Sequence, residues 1–138
     1  MSVEAYNIVN EVLSDFGTWW ATSGNTAVAW PNRHFKPVAN ASFVRPNVSI
    51  NASRMLEIGR ASCAADQIDG LFTVDLFVKS SSGVKAAYTL AQLIITKYTR
   101  RQDMAYLYFD TPFIAYETDD QNTGMYQINI VVPFHAEA

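Results

Sequence analysis

The sequence predicts an α+β domain in which two helices pack on one face of a mainly antiparallel sheet with a long projecting hairpin. Two segments show the apolar spacing of amphipathic helices, and the segments between and after them alternate apolar and polar residues as strands do. The chain has 138 residues, 49% of them apolar, and contains no internal repeat or low-complexity tract. We therefore expect residues 1–138 to form a single domain with one core.

The first helix is expected to begin after Ser2, a favourable N-cap, and to run to about Trp20. Apolar residues recur along one side of this segment at helical spacing, and polar residues occupy the other side. The apolar side comprises Ala5, Val9, Val12, Leu13, Phe16 and Trp20. Ser23-Gly24-Asn25 then ends the helix.

An extended arm is predicted next, because prolines directly follow Trp30, Lys36 and Arg45 and push these residues toward extended backbone. The arm carries the rings of Trp30 and Phe35, where loops usually carry small polar side chains. We expect both rings to be buried, either on their own domain or on a partner.

Two strands are predicted at 43–50 and 71–78, each with apolar residues at alternating positions. The stretch between them is interpreted as the far end of a long hairpin that projects beyond the sheet. Such a projection has few neighbours in its own chain, so it is expected to contact another molecule. Its charged residues are Arg54, Glu57, Arg60, Asp66 and Asp69.

A second helix is predicted from the cap at 80–83 to about Arg101, with three basic residues near its negative C-terminal end. Its expected buried stripe consists of Val84, Ala87, Ala91, Ile94 and Tyr98. Strands at 104–110 and 113–118 follow. A polar loop from Asp119 to Gly124 then leads into a last strand, which Pro133 is expected to confine to an edge of the sheet.

No catalytic or metal-binding motif is recognisable. His34 and His135 lie about a hundred positions apart, and Cys63 is the single cysteine, so neither a hydrolase triad nor a zinc site is expected. Glycine-rich phosphate loops are absent as well. We predict a protein that is not an enzyme and that uses no cofactor and no metal.

The paired carboxylates Asp119 and Asp120 are interpreted as solvated residues of a hairpin loop. A second option is that they attract a divalent cation or a basic patch on a neighbouring subunit, for which Arg100 and Arg101 or the hairpin arginines are candidates.

The charge distribution argues against a surface that grips nucleic acid. The formal net charge is −3, and residues 102–138 contain six acidic side chains but no lysine or arginine. No apolar run reaches the length of a membrane span, and the N-terminus lacks the features of a signal peptide. We expect a protein made and kept in the cytoplasm of a cell.

Three stretches resemble one family of phage proteins: the arm from Ala29 to Pro46, the strand Gly70–Val78 and the helix Gly83–Arg101. They resemble the tail-terminator or tail-completion proteins of long-tailed phages, and are similar to the minor tail protein U of lambda-like phages. The resemblance implies a virion protein, assembled in the bacterial host, that forms a hexameric ring on the finished tail tube. It implies that the ring stops tube polymerisation, meets the head connector and lets DNA pass without specific binding.

A head-to-tail ring needs two different complementary patches on each subunit. The projecting hairpin and the arm are the candidate patches. The predicted assembly residues are Trp30, Phe35, Arg45, Arg54, Glu57, Arg60, Asp66, Asp69, Asp119 and Asp120. Two alternatives remain open: a neck or head-closure adaptor at the same joint, and a small α+β enzyme or ligand-binding module that uses the sheet face without helices.

Overall fold

The computed structural model describes residues 5–24, 26–31, 33–36, 41–55, 66–79, 84–104, 106–120 and 124–137. These contain two helices and six strands. The elements are α1 (Ala5–Ser23), β1 (Ala27–Val28), β2 (Phe43–Met55), β3 (Asp66–Lys79), α2 (Val84–Tyr98), β4 (Leu107–Phe109), β5 (Phe113–Asp120) and β6 (Met125–Glu137).

The six strands form one mixed sheet in the order β1-β2-β3-β6, with β4 and β5 sharing the outer side of β6. All pairs are antiparallel except β1 with β2, which run parallel with Ala27 opposite Phe43. Parallel neighbours need a crossover of a dozen or more residues, and the arm at 29–42 has that length. The pairing of β1 therefore makes the sheet mixed, and its other four pairs agree with the prediction of a mainly antiparallel sheet.

Both helices lie on one face of the sheet and share a core with it. The Phe72 ring in β3 packs against Phe16 of α1 at 5.5 Å and against Tyr98 of α2 at 5.3 Å between centroids. Alternate residues of β3 and β6 complete the apolar layer beneath the helices. They are Val74, Leu76, Val78, Ile128, Ile130, Val132, Phe134 and Ala136.

The helices differ from their predictions at the ends. In α1 the fully buried residues are Ile8, Val12, Phe16 and Trp20, a strict i, i+4 row, and the helix continues to Ser23. In α2 the predicted stripe is buried except for Val84, which is 53% exposed in the first turn. The helix ends at Tyr98 because Arg100 adopts left-handed backbone, with φ of 47°.

The prediction that Pro133 marks a sheet edge is wrong, because β6 is central and pairs with β3 along its whole length. The Pro133 carbonyl accepts from the Asp110 amide at 2.8 Å, so its missing N–H faces the connection between β4 and β5. No ladder bond is lost there, which is why proline is tolerated in a central strand.

The polar loop predicted from Asp119 also starts later, since Asp119 and Asp120 still pair with Tyr126 and Met125. On the opposite side of the sheet, β2 and β3 pair as far as Met55 opposite Asp66, and residues 67–70 of β3 pair with β6 as well. That part of the predicted hairpin is therefore sheet. Its tip at 56–65 lies outside the described residues, and its projection stays a prediction.

Candidate assembly surfaces

The arm begins against its own domain. Trp30 is half-buried, and its indole lies so close to Gly17 that a Cβ at Gly17 would come within 2.6 Å of the ring. The preceding residue, Ala29, is buried and its amide donates to the Val44 carbonyl at 2.8 Å. The Trp30 ring thus packs on α1 at a position where any side chain larger than that of Gly17 would collide with it.

Further along the arm, Phe35 starts a row of rings on the sheet face that points away from both helices, here called the open face. Phe35 contacts Phe43 at 5.1 Å, and Phe43 stacks on Phe77 at 4.5 Å with an interplanar angle of 13°. The Arg45 guanidinium lies 5.3 Å from the Phe77 centroid. The row therefore ties the arm to β2 and β3.

A polar network continues the row toward β6. Arg45 binds Asp75 at 2.9 Å, and the Asn129 side-chain amide donates to the other Asp75 oxygen at 2.6 Å. Because the Arg45 side chain is 55% exposed, this ion pair is worth less than about 1 kcal/mol. The pair leaves Arg45 accessible on the open face.

Most of the hairpin residues predicted for assembly are only partly described. Arg54 and Asp66 lie near the paired ends of β2 and β3, with backbone positions alone described, and Glu57 and Arg60 lie outside the described residues. Asp69 is half-buried within the sheet and accepts from Gln67 Nε2 at 2.7 Å. The interface role of this group stays a prediction.

Asp119 and Asp120 are described as backbone at the end of β5. Of their suggested partners, Arg101 is already held within its own chain by carboxylates of α1 and of the connection after α2. Arg100 is exposed.

Asp15 joins the two helices through a cluster that the sequence did not reveal. Both of its oxygens accept from the Arg101 guanidinium, at 2.6 and 3.0 Å, and one accepts from the Tyr98 hydroxyl at 3.1 Å. Burial, followed by the Asp15 charge, raises the pKa of Tyr98 well above its usual value. Burial lowers the pKa of Arg101, but the hydrogen bonds to Asp15 and Asp103 outweigh it and raise the pKa on balance.

A second cluster joins α2 to the β5 edge. Glu117 accepts from the Tyr126 hydroxyl at 2.6 Å and from the Tyr88 hydroxyl. These two donors lower the pKa of Glu117, and the same bonds raise the pKa of both tyrosines. The edge of the sheet is thereby fastened to the helical layer.

Beside Tyr88 lies a mainly apolar groove of about 750 Å³ on the outer side of the helical layer. We call it the helical groove. It is lined by Trp19, Ser23, Lys85, Tyr88, Thr89, Gln92, Leu93, Thr96 and Lys97. The available signal in the sequence was Tyr88 and Leu93, two large apolar residues of α2 outside its buried stripe.

The two histidines lie in different surroundings. His34 is exposed, and His135 stacks on Tyr108 at 5.1 Å with Glu137 at 3.5 Å. Within the described ranges, no group of three or more metal-ligating side chains could hold an ion. No helix in that part of the chain combines the length and apolar character needed to cross a membrane.

The described residues form a two-layer α+β fold with ring contacts and ion pairs on its surface. The family model for phage tail terminator proteins matches residues 7–111 of this chain. Because the match covers more than half of the sequence, the chain belongs to the phage tail terminator family. It is a structural protein of the phage tail, and such proteins are generally not enzymes.

Solved structures share the fold. One, of a protein without a functional name, aligns with a TM-score of 0.65 and 20% identity over 92% of this chain and 89% of its own. Another, the virion of a native gene transfer agent particle, contains a chain that aligns with a TM-score of 0.50 and 13% identity. That alignment covers 95% of this chain and 93% of the other. A search of curated proteins finds no match.

Proposed function

We propose that this protein forms a ring, of six subunits, that caps the phage tail tube, ends its polymerisation and joins the tail to the head connector. The observation that carries the proposal is the match to tail terminator proteins across residues 7–111. The ring is assembled in the host cytoplasm and then belongs to the virion. Its partners are further copies of the chain, the tail tube protein and the neck proteins.

The charge distribution supports this role. DNA must pass through such a ring without adhering, and a chain with a net charge of −3 and no lysine or arginine after residue 101 offers little basic surface. Residues that attract phosphate are concentrated in the first two-thirds of the sequence. We therefore place acidic surface toward the lumen, where it repels the DNA backbone.

The assembly residues are proposed in two groups with different tasks. Trp30 and Phe35 pack within the subunit and so are assigned to holding the arm in place. The charged hairpin at 51–69 and the carboxylates Asp119 and Asp120 are assigned to contacts with a neighbouring subunit or ring.

Light scattering after gel filtration tests the ring directly. A hexamer has six times the subunit mass of 15.4 kDa, about 92 kDa, and negative-stain images should show a ring with a central hole. Because some rings form only on their target, the measurement is repeated with purified tail tubes. A protein that stays monomeric even with tubes contradicts the proposal.

The second candidate, a neck or head-closure adaptor, differs from a tail terminator in the partner that it binds. A terminator binds the end of a bare tail tube and keeps added tube subunits from extending it. An adaptor binds the head connector and leaves tube elongation unchanged. Measured tube lengths with and without the protein therefore distinguish the two roles. A ligand-binding module or enzyme would instead remain monomeric and bind neither the tail tube nor the head connector.

A further inference from the structure

The helical groove contains apolar surface that its own subunit leaves exposed. Leu93 and Tyr88 are 37% and 39% exposed, although both side chains are large and apolar in part. Trp19 forms part of the lining from the α1 side. Lys97 lies 5.2 Å above the Trp19 ring, and Lys85 belongs to the same lining. The nine lining residues include two lysines and no carboxylate; Lys97 also pairs with Asp15 of its own subunit at 3.9 Å, so Lys85 is the lining charge that suits an apolar segment carrying negative charge.

The outer strand β5 has this character. Phe113 and Tyr116 are each 49% exposed, the largest exposures of large apolar side chains among the described residues of the sheet. Both lie on the open face, because they pair with Val131 and Asn129, whose neighbour Ile130 points into the core. β5 itself contains the acidic residues Glu117, Asp119 and Asp120 and no basic residue.

The two surfaces lie on opposite sides of the molecule. The helical groove is on the outer side of the helical layer, and β5 shows its rings on the opposite side of the sheet. One subunit cannot bring its own β5 face to its own groove, but a second copy can. Stacking the helical layer of one copy on the open face of the next adds a third layer and buries both apolar surfaces.

We infer that the helical groove receives the Phe113 and Tyr116 side of β5 from a second copy of this chain. The contact is head-to-tail, because each copy uses its groove toward one neighbour and its β5 toward the other. Such a contact does not stop at two copies and closes into a ring when the rotation allows. The inference rests on the proposed ring and names the surfaces that build it.

Two single substitutions each disable one of the two contact surfaces. Leu93→Glu places a charge in the groove, and Tyr116→Glu places one on β5, while the other half stays intact in each variant. Tyr6→Glu is the matched control, because Tyr6 is an aromatic residue of α1 that is 73% exposed and lies outside both surfaces. Circular dichroism and thermal unfolding verify that all three variants fold.

Sedimentation velocity and light scattering then measure the association. We expect Leu93→Glu and Tyr116→Glu to weaken it by at least about tenfold, since a desolvated unpaired charge opposes the contact, and Tyr6→Glu to behave as wild type. An equimolar mixture of the first two variants should form pairs of twice 15.4 kDa and nothing larger, because one intact groove meets one intact β5. Lys85→Glu should weaken association as well.

Three outcomes overturn the inference. If Leu93→Glu and Tyr116→Glu form the same rings as wild type, the ring stands and this contact is wrong. If wild-type assembly stops at two copies, the contact is mutual and the head-to-tail arrangement is wrong. If wild type forms no assembly even with tail tubes, the proposed function fails together with the contact.

Discussion

At the scale of single residues, Asp15 makes polar contacts with Tyr98, Lys97 and Arg101. It is 21% exposed, and its partners Arg101 and Lys97 are 15% and 18% exposed, so the charges are only partly screened by water. Breaking a fully buried pair by removing one partner costs about 3–5 kcal/mol, and partial exposure reduces that penalty. Asp15 therefore contributes more to stability than a surface ion pair.

Asp15→Asn should lower the free energy of unfolding by about 2 kcal/mol, because Arg101 keeps its charge and loses its main counter-ion. The measurement is urea denaturation at pH 7. Asp103→Asn is the control: Asp103 also binds Arg101, but its side chain is 73% exposed, and a loss below about 0.5 kcal/mol is expected. Equal losses in the two variants would contradict the assignment.

Tyr98 should make the protein sensitive to alkaline pH. Its pKa is raised in the folded state by burial and by Asp15, whereas the unfolded side chain titrates near 10. A raised pKa contributes stability that is complete below about pH 10 and is lost as the pH rises above it. Wild type should therefore lose unfolding free energy between about pH 10 and 12 more steeply than Tyr98→Phe.

At pH 7 the same substitution should cost about 1 kcal/mol, for the lost hydrogen bond to Asp15. The raised pKa values of Tyr88 and Tyr126 add to the alkaline slope of both proteins, so they cancel in the comparison. Parallel slopes above pH 10 would show that Tyr98 does not cause the alkaline loss.

At the scale of elements, the sequence predicted those parts of the fold that depend on local spacing. The alternation in β3 and most of the buried rows of α1 and α2 follow from periods of 2 and 3.6, but α1 buries Ile8, which the prediction left out, and keeps the predicted Val9 and Leu13 only partly buried. β1 was missed because two residues carry no period, and its parallel pairing depends on the length of the arm. The prediction of a sheet edge at Pro133 was wrong for a similar reason. Which segment the Pro133 nitrogen faces depends on where β4 ends and β5 begins, and no local pattern shows this.

The contact between the arm and α1 should appear as a coupling between Gly17 and Trp30. Alanine in place of glycine normally stabilises a helix by about 1 kcal/mol. Here the new Cβ would lie 2.6 Å from the Trp30 ring, so Gly17→Ala must displace the indole and lose its packing. We expect Gly17→Ala to be destabilising in the wild type but stabilising by about 1 kcal/mol in the Trp30→Ala background.

Thermal and urea unfolding of the four proteins of this cycle measure the coupling, and Trp fluorescence of Gly17→Ala should shift as Trp30 becomes exposed. The same gain from Gly17→Ala in both backgrounds would mean that the ring does not rest on α1 in solution.

At the scale of the whole molecule, the sequence led to predictions of assembly segments but not of the surfaces that the fold creates. The Asp15 cluster joins residues 83 and 86 positions apart, and the helical groove combines two helices between which β1, β2 and β3 lie in the sequence. No local pattern encodes such distances. The arm was recognisable because proline spacing and large rings in a loop are local features, and the rings of Trp30 and Phe35 are half-buried against the same subunit.

The arm is assigned to the stability of the subunit and the hairpin to contacts between subunits, which leads to a prediction for assembly. Trp30→Ala with Phe35→Ala removes two half-buried rings that hold the arm, so unfolding free energy should fall by about 2–3 kcal/mol, and ring formation should fail with it.

Arg54→Glu with Arg60→Glu reverses two charges of the hairpin, and we expect rings to be lost while the unfolding midpoint stays within about 2 °C of wild type. Arg33→Glu, an exposed change on the arm, is the control and should affect neither property. Light scattering and thermal unfolding on the same samples separate the two effects. If the hairpin variant still forms rings, the hairpin is not an assembly contact; if the arm variant keeps wild-type stability, the arm is not an anchor of the fold.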